Sequence, residues 1–83
     1  MKVLYCHRLD EPVSGGNTCI AALDIKLNDH IRLYGLRLLR MRDGKHLLFA
    51  PQSGRRRVAT FSTALAERLT AIALEAYGAA HEA

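Results

Sequence analysis

The stretch Thr18–Met41, TCIAALDIKLNDHIRLYGLRLLRM, decides the fold. Cys19, Ala21, Leu23, Ile25 and Leu27 fall in one phase of a two-residue period, while Asp24 and Lys26 fall in the other. Successive side chains of a strand point to opposite faces, so this pattern predicts a half-buried strand over 18–27. Asn28-Asp29-His30 supplies turn residues that tolerate positive φ, and an apolar rhythm resumes at once, which makes a hairpin. The rhythm then slips. Ile31 and Leu33 sit in one phase and Leu36 and Leu38 in the other, with Gly35 at the change. A phase shift at a glycine inside a strand predicts a β-bulge, leaving Arg32, Tyr34, Arg37 and Met41 to share the outer face of a strand over 31–41.

Working outward, Lys2–Leu9 reads as a first strand, with Val3, Tyr5 and His7 on one side and Leu4, Cys6 and Arg8 on the other. Residues 10–17, DEPVSGGN, have loop composition. Arg42-Asp43-Gly44-Lys45 is a second hairpin turn. A short fourth strand over His46–Ala50 is closed by Pro51, and QSGRRR (52–57) reads as a loop. Val58–Phe61 is a short strand or an extended lead-in to a helix. In that helix Ser62 or Thr63 offers an N-cap oxygen, and Glu67 places negative charge near the positive end of the dipole. Leu65, Leu69, Ile72, Ala73, Ala76 and Ala80 form one apolar stripe at helical spacing, and the terminal AAHEA is expected to fray. Strands first and a helix last predict an α+β fold: an antiparallel sheet of four to five strands with one C-terminal helix packed on it. The 83 residues make a single domain, 1–83. A domain of this size buries only ~60% of its unfolded surface, which leaves a small core and makes dimerisation a natural remedy.

Charge is concentrated in the middle. Residues 26–57 carry nine cations, seven of them arginine, against Asp29 and Asp43, for a net charge of +7. The flanking segments are net −1 and −2. Arginine suits bidentate phosphate contact, so an anionic partner, nucleic acid above all, is the leading expectation. The plain alternative is a solvated basic surface. The sharpest feature is Arg55-Arg56-Arg57 beside Ser53-Gly54, a loop able to follow a phosphate backbone. Arg40, Arg42 and Lys45 lie at the neighbouring hairpin. Arg37 could reach a base edge, and Tyr34 offers a ring for base stacking, or for packing in a core or interface. Between Ser62 and Tyr77 only Arg68 is basic, so a recognition helix in the major groove is poorly supported.

Catalytic constellations are absent from the pattern. Cys6 and His7 are sequence neighbours, so on a strand they point apart. His7, His30, His46 and His81 have no ligand spacing, and Cys6 and Cys19 lack a second pair, so no metal or other cofactor is expected. SGGN (14–17) has no Lys-Ser/Thr to complete a phosphate-binding loop. The chain is read as a non-enzyme. Two free cysteines, no signal-peptide pattern and no apolar run long enough to span a bilayer point to a cytoplasmic protein, away from membranes.

The order of motifs resembles the SpoVG family, small bacterial septation and sporulation regulators that bind nucleic acid. The matching residues are Ala21-Ala22-Leu23-Asp24-Ile25, Leu36-Arg37-Leu38, Asp43-Gly44, Leu48-Phe49-Ala50-Pro51, Ser53 and Arg55-Arg56, followed by Val58-Ala59 and the helix ending Leu74-Glu75-Ala76-Tyr77. The resemblance covers residues 18–78. It implies a sheet with a C-terminal helix, dimers joined through strand edges, and binding of DNA or RNA in transcription regulation. Arg55 and Arg56 would contribute to that binding, with Arg57 adjacent. The segment between Pro51 and Val58 is shorter than in the family, the helix start STALAERLT lacks its Lys/Arg, and residues 1–17 diverge. The second functional reading is a protein-interaction module, an adaptor or inhibitor docking an acidic protein partner through the same basic surface.

Overall fold

A computed structural model of the chain describes residues 1–50, 52–53, 56–57 and 59–82; for 52, 53, 56, 57 and 80–82 the description is of the backbone alone. Four strands, β1 (Lys2–Pro12), β2 (Thr18–Lys26), β3 (Arg32–Arg40) and β4 (His46–Phe49), form one antiparallel sheet in the order β1-β2-β3-β4. β5 (Gln52–Ser53) and β6 (Arg56–Arg57) pair antiparallel with each other as a separate ribbon. The C-terminal helix α1 (Thr63–Glu82) packs across β1 and β4 on one face of the main sheet. The α+β architecture expected from the sequence is present.

The core lies between α1 and that face. Leu23, Ile25, Leu36 and Leu38 from the central strands, and Leu69 and Ala73 from the helix, are fully buried, with Leu48 nearly so. The expected stripe on α1 is the face that packs: Leu65, Ile72 and Ala76 flank Leu69 and Ala73. Ser62 caps the helix, its Oγ accepting from Leu65 N–H at 3.2 Å and its carbonyl from Ala66 N–H at 2.9 Å. The first bond satisfies one of the donors that a helix N-terminus leaves open, and the second is the first bond of the helical ladder. Residues 80–82 continue the helix where fraying was expected.

Bulges set which residues face where. The β2–β3 register runs Leu23↔Leu36 and then Ile25↔Leu33, so β3 carries an extra residue at Gly35, whose φ is +70°. Only glycine adopts that conformation at little cost, so the phase slip in the sequence marks the bulge correctly. Two further bulges were not expected. The step from Cys19↔Leu39 to Ala21↔Leu38 moves Cys19 off the face of Ala21, Leu23 and Ile25. The step from Val3↔Ile25 to Tyr5↔Asp24 separates Val3, which packs on the core with Cys6, from Tyr5 and His7 on the opposite face.

Boundaries also shift. β1 continues through Asp10, Glu11 and Pro12, read from composition as loop, because Glu11 and Pro12 pair with Cys19 and Thr18 across another register shift. The short 3-10 turn Ser14–Gly16 follows. Residues 59–61 carry no strand, and Val58 lies outside the described residues. At the 28–30 turn no residue takes positive φ. Instead Asn28 Oδ1 accepts from His30 N–H (2.7 Å) and Ile31 N–H (3.0 Å), a side-chain-mediated turn.

Candidate nucleic-acid interface

The helix covers one face of the sheet, and the other face carries the candidate site. Strand pairing arranges it in cross-strand rows. At one end Lys2, Lys26 and Arg32 lie side by side on β1, β2 and β3. Next come Tyr5 and Asp24, with Tyr34 beside the bulge; Asp24 Oδ1 accepts from Gly35 N–H at 2.9 Å and so pins that bulge. The third row is His7, Ala22, Arg37 and Phe49, and the fourth is Glu11, Cys19, Leu39 and Leu47. Tyr5 and His7 stack with ring centroids 6.3 Å apart and planes 10° apart. Tyr5, Tyr34 and Phe49 are 55%, 59% and 39% exposed, so three rings face solvent on a sheet surface that the helix does not cover. Single exposed apolar residues are ordinary; a row-by-row set of rings on one face is not.

Beyond the fourth row stand two loops joined by Asn17, whose Oδ1 accepts from Arg42 N–H at 2.9 Å and whose Nδ2 donates to the Ser14 carbonyl at 3.3 Å. The side chain of Arg42 lies against Gly16. The 41–45 turn closes through Met41 N–H to the Lys45 carbonyl and Gly44 N–H to the Met41 carbonyl, with Gly44 at φ +91°. Between the Val13–Asn17 loop and the sheet lies an open cavity of about 590 Å³, walled by Gly35, Arg37, Leu39 and Phe49.

Arg37 is the cation at the centre of this face. Its Nη1 donates to Glu11 Oε2 at 3.3 Å and to Cys19 Sγ at 3.8 Å. The bond to the Cys19 sulfur first, and then the Glu11 carboxylate, hold the guanidinium further into its charged form than usual. Arginine and carboxylate are both more than half exposed, so the pair contributes little to stability and can open. Among the described residues, every hydrogen bond of the Arg37 side chain runs through Nη1.

The sequence-predicted cations divide between locations. Arg37 and Tyr34 share the helix-free face, as expected. Arg42 and Lys45 lie in the turn beyond it. Arg40, paired with Thr18 and His46, belongs to the alternate set with Leu36 and Leu38, so it does not join Arg37. Arg55 lies outside the described residues. Arg56 and Arg57 form β6 where a loop was expected, and their side chains lie outside the description too. Sequence reading missed Tyr5, Phe49, Lys2 and Lys26 as members of one surface. Alternation from β3 could have found Phe49 through its pairing with Arg37; the bulge at Leu4 hid Tyr5.

Burial pushes the Cys6 thiol above its ordinary range, with Arg8 acting in the opposite direction. Arg8 itself turns to the helix, its guanidinium 4.4 Å from the Tyr77 ring centre and its Nη2 donating to the Tyr77 hydroxyl at 2.7 Å. Cys19 is fully buried. Among the described residues no three His, Cys, Asp or Glu side chains converge as metal ligands, and no helix is long and apolar enough to cross a membrane. Comparison of the chain with family models, with curated proteins and with solved structures gives no match.

Proposed function

We propose that the chain is a small nucleic-acid-binding regulator that acts by occupancy, through the helix-free sheet face and the basic hairpin at its end. The observation that carries this reading is the placement of cations at both ends of a ring-bearing surface: Lys2, Lys26 and Arg32 at one end, Arg42 and Lys45 beyond the other. Three cations in adjacent cross-strand positions repel one another, and among the described residues Lys26 is the one relieved by an ion pair, to Asp29 at 3.4 Å. An anionic backbone would neutralise all three. The triplet Arg55-Arg56-Arg57 adds charge to the same reading from the sequence, and the resemblance to SpoVG regulators agrees with it. The proposal includes a cytoplasmic location and a homodimer joined at strand edges. β1 is the freer edge, because Leu48 N–H in β4 is taken by Thr70.

Neutralising phosphates releases counterions, so log affinity should fall linearly with log salt, by ~0.7–0.9 for each phosphate contact. The test is a salt series on labelled DNA and RNA with the wild type, Lys2→Ala/Arg32→Ala and Arg42→Ala/Lys45→Ala. Shallower slopes in both variants support the proposal; no binding by folded wild type at low salt refutes it. The second reading, an acidic protein partner, is favoured by Leu4 and Ile31. Both are 44% exposed in or beside the strands that carry the cation row, and neither offers a phosphate anything.

A further inference from the structure

We infer that the occupant of the helix-free face is a single-stranded stretch of nucleic acid, with one base entering the cavity against Phe49. This narrows the nucleic-acid reading above and rests on it. A duplex keeps its bases stacked inside and shows a protein its groove edges and phosphates, which a helix or ribbon must enter. The helix of this chain carries one Lys or Arg, Arg68, and the main sheet turns its rings outward on a broad surface. Rings on an open sheet are useful to a base only when that base is unstacked, because stacking then replaces contact with its lost neighbours.

The cavity fits that use. Its volume of about 590 Å³ falls within the ~300–1,000 Å³ of small-ligand sites. Phe49 and Leu39 supply apolar walls, Ser14 and Arg37 supply polar groups, and Gly35 has no side chain to intrude. Among the described residues the nitrogens of Arg37 other than Nη1 take no hydrogen-bond partner, so they could meet a base edge or a phosphate. From Lys26 to Thr18 the face runs ~26 Å at 3.3 Å per residue, a path suited to the ~4–16 nucleotides of known single-strand sites. The cation row and Arg42 would hold the backbone at either end of the rings.

The test measures fluorescence anisotropy with three labelled probes of ~15 nucleotides: oligothymidylate, a duplex of the same length, and an abasic sugar-phosphate oligomer. Wild type should hold the single strand at least about tenfold tighter than the duplex. Loss of the bases should weaken binding by roughly 5- to 150-fold, the range of base–aromatic stacking. Phe49→Leu keeps an apolar side chain without the ring. It should lose base-dependent affinity with the salt slope unchanged, because no phosphate contact is removed. Equal affinity for duplex, or for the abasic oligomer, overturns the single-strand inference and leaves the nucleic-acid reading standing. Failure of all three probes to bind at low salt overturns both. Sedimentation decides the remaining rival: if Phe49→Leu breaks a dimer and leaves binding intact, the face belongs to a second copy of the chain. The wild-type comparison needs no variant, so it stands even if Phe49→Leu misfolds.

Discussion

At the scale of single residues, Gly35 is the position on which the surface turns. Its φ of +70° lets β3 shift phase, so that Leu36 and Leu38 bury while Tyr34 and Arg37 face away from the helix. Gly35→Ala should destabilise the fold by ~1–2 kcal/mol, read as a lower urea midpoint at unchanged slope. This residue was legible because a phase slip and a glycine coincide in the sequence. Cys19 was not. Its bulge has no glycine or proline to announce it, and Cys19 fits the alternation of β2 perfectly well on the wrong face. Glu11 was hidden for a related reason, since loop-like composition around it masked a strand. Its carboxylate competes with any anion for Arg37. Glu11→Gln should therefore raise oligonucleotide affinity by about two- to fivefold at low salt, the range of an exposed pair, with the gain fading as salt rises.

At the scale of elements, β4 is held by the helix as well as by β3. Thr70 is buried; its Oγ1 accepts from Leu48 N–H at 3.0 Å and donates to the Ala66 carbonyl at 2.7 Å. One hydroxyl thus serves both an edge strand and the preceding helical turn, and closes the sheet edge at that point. Thr70→Val keeps the shape and leaves Leu48 N–H without its partner. The expected loss is ~1–3 kcal/mol, with faster amide exchange at Leu48 as the local signature. Nothing in the sequence marks this contact, because Thr70 sits beside the apolar stripe of α1 and its partner lies on another element. The stripe itself, and the Ser62 cap before it, were plain. Helical spacing is a local property, whereas a hydroxyl reaching an edge strand is a product of how the layers meet.

At the scale of the whole molecule, the fold packs α1 as a second layer on one face of the four-stranded sheet. A chain of 83 residues has a total stability of ~4–12 kcal/mol at typical values per residue. Leu69 stands at the meeting of helix and sheet and is fully buried. Leu69→Ala should cost ~2–5 kcal/mol, enough to bring thermal unfolding close to physiological temperature. The layer order was readable from strands preceding a helix; the membership of the helix-free face was not, since it depends on four register shifts of which the sequence announced one. The cation row of Lys2, Lys26 and Arg32 has one more consequence. In the free protein, added electrolyte shields those charges from each other, so the melting temperature should climb between low and moderate ionic strength. The same ions compete with phosphate, so retention of any polynucleotide should decline over that interval. Folding and binding then respond to salt with opposite signs. The buffer in which this protein keeps best is then the one in which binding to a polynucleotide would be hardest to see.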